Sequence, residues 1–179
     1  MFNDEFGLTK AVLKVWKTMT RRIVPQGVIS LCERGMYEMA LGSTKYKVGE
    51  VVAVAQNLRD MGYNPRDTKH RPGAIWGLDH SPAWTNKMFV SASECIHQIR
   101  ITNIRVERLQ NISDEDCFRE GIDVSFQNGH AVSYYRFENS RTHYFTPREA
   151  FAALIDKVSG KGTWDSNPWV FVYEFELIR

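Results

Sequence analysis

The stretch HQIRITNIRVERL, His97–Leu109, decides the fold. Side chains alternate between the faces of a strand, so Ile99 and Ile101 share one face. Ile104 and Val106 continue the apolar pattern with the opposite parity. One extra residue near Thr102 and Asn103 restores a single buried face; such an insertion is a β-bulge, which bends a strand and increases its twist. The stretch therefore predicts a bent strand in a closed or strongly curved sheet. The C-terminal NPWVFVYEFELI, Asn167–Ile178, predicts another strand. Trp169, Phe171, Tyr173, Phe175 and Leu177 point one way; Val170 and Val172 point the other way, followed by Glu174 and Glu176, so the second face becomes wet along its length. In YKVGEVVAVAQ, Tyr46–Gln56, a turn at Lys47–Glu50 precedes a strand that is apolar on both faces, expected to be central and buried.

Three helices fit around these strands. Leu8, Ala11, Val12, Val15 and Trp16 recur at helical spacing, with the helix expected to end near Trp16 or Lys17 because Thr18 and Thr20 are weak helix formers and Pro25 follows. ISDEDCFREG, Ile112–Gly121, is a short helix with Ser113 as N-cap, Asp116 at the third position, Ile112 and Cys117 as a hydrophobic staple and Gly121 closing it. Cys117 is read as a packing residue. TPREAFAALIDKVSG, Thr146–Gly160, has a capping Thr146, Pro147 in the first turn, Glu149 completing a capping box, and a stripe of Phe151, Leu154, Ile155 and Val158. Strands do not alternate regularly with helices, so a parallel sheet is not expected. The pattern predicts a single α+β domain, a small and mainly antiparallel barrel with helices on its rim and insertions at about 57–94 and 122–145.

Composition narrows the chemistry. The 179 residues are 43% hydrophobic and 25% charged, with a net charge of only +2, so attraction to anions must be local. KVWKTMTRR, Lys14–Arg22, supplies it: from Thr9 to Arg22 there are Lys10, Lys14, Lys17, Arg21 and Arg22 and no carboxylate. The plain reading is a solvated helix end whose lysines complement the helix dipole; the sharper one is a pocket for an anionic or polar ligand. Three dispersed cysteines without a CxxC, and five histidines without paired spacing, argue against a disulfide framework or a zinc site, so no metal and no cofactor are expected. Asp4 and Glu5 interrupt the N-terminus, no apolar signal region follows, and no apolar run approaches membrane-span length. The expected location is the cytoplasm, with no membrane partner.

KTMTRR after an amphipathic helix, then YKVGEVVAVAQ, IRITNIRVERLQNISDEDCFREGI and NPWVFVYEFELI, together resemble the ASCH family. The order resembles members from Bacteroidales bacteria and their phages. The resemblance leaves out roughly residues 57–84 and 124–144. It implies a PUA-like β-barrel, a role in RNA metabolism and, in one branch, amidohydrolysis of N4-acetylcytidine. That branch pairs a Lys-x-x-Thr motif at the end of the first helix with a Glu ending a later short helix. Lys17 and Thr20 match the first part and Glu120 the second; Arg22 matches a basic residue two places after the threonine. Val15 stands where the family motif usually has glycine. Being β-branched, it is expected not to turn left-handed.

The resemblance thus implies Lys17, Thr20 and Glu120 as catalytic residues. A lysine depressed in pKa by burial or by Arg21 and Arg22 would take the threonine proton, or a water's, and Glu120 would pass it to the leaving amine. The binding alternative has Arg21, Arg22 and Lys17 meeting phosphates, Thr18 contributing to the pocket, and Trp84 or Trp76 stacking a base of RNA or of a nucleotide-like ligand. A third possibility is a protein-interaction module built on the two insertions. The plainest outcome is a surface ion pair of Lys17 and Glu120 contributing about 0–1 kcal/mol, with Thr20 an ordinary strand residue.

Overall fold

The computed structural model describes residues 2, 4–66, 77–126 and 133–178. In chain order the elements are α1 (Leu8–Leu13), β1 (Met19–Ile23), α2 (Ile29–Glu33), α3 (Tyr37–Gly42), β2 (Val51–Ala53), β3 (Gln98–Arg108), α4 (Asp114–Arg119), β4 (Asp123–Phe126), β5 (Ser133–Arg136), α5 (Pro147–Ser159), α6 (Thr163–Ser166) and β6 (Trp169–Leu177). Four strands form a curled, half-barrel antiparallel sheet in the order β1-β6-β3-β2, and β4 pairs with β5 as a separate hairpin.

The bend lies where the isoleucine parity predicts it. Ile101 pairs with Phe175 and Asn103 with Glu174, leaving Thr102 as the extra residue. Ile99 and Ile101, with Ile104 and Val106 behind them, then share a core with Phe171, Tyr173 and Phe175. The other face of the sheet contributes Met19, Val170 and Val172 to a second core, which α4 and α5 close with Cys117, Ala150, Phe151, Leu154 and Ile155. Burying each large side chain of this α5 stripe contributes about 1.5–3 kcal/mol relative to exposure. Phe2 packs against both cores.

One strand expectation needs correction. β2 is three residues long and lies at the sheet edge, not in its centre. Val51 faces outward and is exposed, Val52 packs on the core, and only Val54 is fully buried, just after the chain leaves the sheet. On β6 the second face becomes wet along its length as expected: Val170 and Val172 are buried, Glu174 is partly covered by its arginine partners, and Glu176 is exposed.

The helix ends divide in the same way. α5 has the full capping box of Thr146 and Glu149 with Pro147 in its first turn. α4 is capped by Ser113 Oγ, which accepts from the Asp116 amide. It closes in a Schellman turn, with Gly121 N–H donating to Phe118 O and Ile122 N–H to Cys117 O, and Gly121 at φ 106°. α1 stops earlier than its apolar spacing predicts, at Leu13. It too ends in a Schellman turn: Val15 N–H donates to Val12 O and Trp16 N–H to Ala11 O. The left-handed position is Val15, at φ 61°, contrary to the expectation for a β-branched residue. The turn turns Val15 and Trp16 out to solvent, 57% and 56% exposed, and turns Lys17 inward.

Within the first insertion Leu58, Leu78 and Ala83 form a small core of their own; Trp76 lies outside the described residues.

Candidate functional site

Two helix ends and an edge strand meet at Lys17. Its side chain is 2% exposed, among the largest fully buried side chains of the described residues. Lys17 Nζ donates to Glu120 Oε2 at 2.6 Å and to the Glu120 carbonyl at 2.8 Å. The second oxygen of that carboxylate, Oε1, accepts from Arg21 at 3.1 Å. The expected pair therefore forms, but it is buried, not at the surface. Gly121 packs beside it: a Cβ added there would lie 3.8 Å from Lys17 Cδ.

Arg21 carries the site into a larger network. Its guanidinium donates to Glu107 Oε1 at 2.7 Å and to Asp116 Oδ2 at 2.8 Å. Arg105 joins Glu107, Asp116 and Glu174, and Arg119 joins Glu174 at 2.8 Å. Four cations, Lys17, Arg21, Arg105 and Arg119, thus meet four carboxylates, Glu107, Asp116, Glu120 and Glu174. The basic stretch that holds no acid of its own finds its acids far along the chain. Lys10 likewise pairs with Glu138 at 2.6 Å.

Burial acts differently on the two inner cations. Desolvation pulls the Lys17 ammonium below its ordinary pKa; Glu120 opposes this, and Arg22 and Arg21 add to it. Desolvation also weighs on Arg21, but Glu120, Glu107 and Asp116 more than offset it and hold its pKa up. The two inner cations are thus shifted in opposite directions, Lys17 downward and Arg21 upward. The Cys117 thiol beneath them is pushed by burial up to about 12, consistent with packing alone.

A cavity of about 270 Å³ opens against this pair. Lys17, Thr20, Arg21, Arg22 and Glu120 line its polar side; Phe151, Leu154, Ile155 and Val158 of α5 form its apolar wall, with Phe2 and Leu8 at its margin. Three of its lining residues lie on β1, which among the described strands is an edge strand paired with β6. A small, mostly apolar hollow with a few convergent polar groups has the form of a ligand site, slightly below the usual size range. Chemically it offers one buried amine, one carboxylate, two guanidinium groups and the hydroxyls of Thr20 and Ser159.

Lys17, Thr20, Arg21, Arg22 and Glu120, singled out in the sequence, all line this cavity. Thr18 does not; its amide donates to the Arg119 carbonyl at 2.9 Å and its hydroxyl accepts from Arg119 Nε at 3.2 Å, tying β1 to the end of α4. Trp84 is also elsewhere, packed on the small core of the first insertion. The arginine and carboxylate partners were missed, although two signals existed. Arg105 and Glu107 stand two apart on one strand face, and Asp116, Arg119 and Glu120 lie three and four apart on one helix face. Asp116 is the instructive case: the sequence assigns it to the helix cap, while its carboxylate binds Arg21 and Arg105.

No helix among the described residues is long and apolar enough to cross a membrane. In comparisons with known proteins, no protein family, no curated protein and no solved structure matches the chain.

Proposed function

We propose that the chain binds an RNA base or a nucleotide-like ligand in the cavity between α1, β1 and α5. One observation carries this reading: residues 17, 20, 22 and 120, which the resemblance to ASCH domains singles out, line one small hollow together with Arg21 and an apolar wall. The wall suits the flat face of a base, and the buried amine and guanidinium groups suit its carbonyl and ring-nitrogen acceptors. The size of the hollow favours a single nucleoside unit over a duplex.

A second reading, amidohydrolysis of an N4-acylated cytidine, is favoured by the Lys17 ammonium, which burial makes acidic beside a threonine and a carboxylate. Neutral Lys17 would take the proton of Thr20 or of a water, and Glu120 would pass it to the leaving amine. Calorimetry with cytidine, together with an assay for cytidine released from N4-acetylcytidine, tests both. Binding that is lost in Lys17→Met without turnover in the parent supports the first reading. Turnover abolished by Lys17→Met and Glu120→Gln supports the second. Neither binding nor turnover in the folded parent refutes both.

A further inference from the structure

Beside the Lys17–Glu120 cavity lies a second, of about 240 Å³, over the aromatic face of the sheet. Tyr173 and Phe175 line it, with Val52, Ile99 and Ile101 as aliphatic neighbours. The two cavities share three lining residues, Phe2, Thr20 and Arg22. Thr20 and Arg22 are carried by β1 and fixed by its pairing with β6, Thr20 opposite Tyr173 and Arg22 opposite Phe171. Phe2 belongs to no helix or strand. Of the three, it is the one whose backbone the sheet does not hold. Its ring centre is 6.0 Å from Lys17 Nζ on one side and 5.5 Å from the Phe175 ring on the other.

What holds Phe2 comes from the first insertion. Lys87 opens a single helical turn, Lys87–Phe89, capped by the Asn86 side chain, which accepts from the Met88 amide. Lys87 Nζ donates to the Phe2 carbonyl at 2.6 Å and to the Thr9 hydroxyl at 3.3 Å, and it pairs with Asp4 Oδ1 at 2.8 Å. Asp4 in turn accepts from the Thr9 hydroxyl. Met88 and Phe89 of the same turn are exposed, whereas the Lys87 side chain is largely covered. One lysine therefore ties the backbone of Phe2 to α1 and to the insertion at once.

We propose that Phe2, latched by Lys87, sets ligand size in the Lys17–Glu120 cavity. With the ring in place the cavity admits a base that carries only a short substituent. With the ring displaced it runs on over Tyr173 and Phe175, whose apolar surroundings suit a longer apolar substituent. The identity of the ligand rests on the nucleoside reading; the ring's control of access to Lys17 does not, and the two are measured separately.

The ligand arm compares N4-acetylcytidine with N4-benzoylcytidine, which differ in the size of the acyl group. The parent should favour the acetyl probe about tenfold, in affinity or, where the probes are cleaved, in kcat/KM. Phe2→Ala should abolish that preference and Lys87→Met should reduce it. No preference in the parent, or one that Phe2→Ala leaves intact, overturns the size-setting role. Failure of both probes with the parent and with Phe2→Ala overturns the nucleoside reading. The access arm needs no ligand. Formaldehyde with cyanoborohydride methylates accessible lysines, and peptide mass mapping measures the rate at each. Lys17 should label about tenfold faster in Phe2→Ala than in the parent, with Lys87→Met in between and exposed Lys14 unchanged. Equal rates at Lys17 overturn control by the ring, and a rate that Lys87→Met leaves at the parent's value overturns the latch. Circular dichroism verifies folding. Should Phe2→Ala not fold, Lys87→Met, which keeps the ring, carries both arms, and no change in either overturns the proposal.

Discussion

α1 and α4 end in the same Schellman hydrogen-bond pattern, and the two ends touch at the Lys17–Glu120 pair. α4 places Gly121 in the left-handed position, where glycine has no steric cost; α1 places Val15 there, where a side chain costs about 1–2 kcal/mol. One end therefore follows the rule for helix termination and the other breaks it. Each turn nonetheless carries a functional side chain that is buried: Glu120 sits at the C-cap of α4, just before Gly121, and Lys17 lies two residues beyond Val15. Backbone strain of this kind persists where surrounding contacts over-determine the geometry. Here they include the Lys17 amide donating to Ala11 O, the Thr18 amide donating to Arg119 O, and the Lys17 ammonium donating to both Glu120 oxygens named above.

The comparison can be broken most severely at the carboxylate. Glu120→Ala leaves two buried cations short of a partner, and removing one member of a buried ion pair costs about 3–5 kcal/mol. Urea unfolding should show that loss, whereas a surface ion pair would show almost none. Gly121→Ala should cost about 1–2 kcal/mol through φ alone, since the added Cβ meets its neighbours at ordinary contact distance, 3.5 Å from Leu8 and 3.8 Å from Ala11. The opposite end should respond with the opposite sign. Val15→Gly relieves the strain at an exposed position, and after the entropy lost on ordering a glycine it should gain about 0.5–1 kcal/mol. A destabilised Val15→Gly would show that the Val15 side chain supports the turn.

The smallest effect concerns pH. Burial would raise the Glu174 carboxyl, but Arg119, Asn103 and Arg105 outweigh it and hold its pKa below 4.5. Its contribution is fully present above pH 4.5 and is lost as pH falls through the lowered value. Acid titration of stability should therefore be shallower in Glu174→Gln than in the parent below that pH.

How much was legible follows the same division. The bulge at Thr102, the capping box of α5 and the capped α4 were readable because each is a local rule: parity, a capping residue, a glycine after a helix. The early end of α1 was not, because Val15 and Trp16 continue the apolar spacing and valine gives no sign of a left-handed turn. β2 was misplaced because a run of valines reads alike at an edge and in a centre. At the site, Lys17, Thr20, Arg21, Arg22 and Glu120 line the cavity, while Thr18 and Trp84 stand away from it. The α5 wall and the partners of Arg21 were invisible as site residues. Their meeting depends on the fold of the whole sheet, and a stripe such as Phe151, Leu154, Ile155 and Val158 reads only as core.

The most direct test is the ionisation of Lys17, followed by NMR at its ε-methylene in lysine-labelled protein across alkaline pH, with Lys17→Arg to assign the signal. The account predicts a midpoint clearly below the ordinary 10.5, because burial outweighs Glu120. A midpoint at or above 10.5 would contradict it and leave the pair as a structural ion bridge with no poised amine.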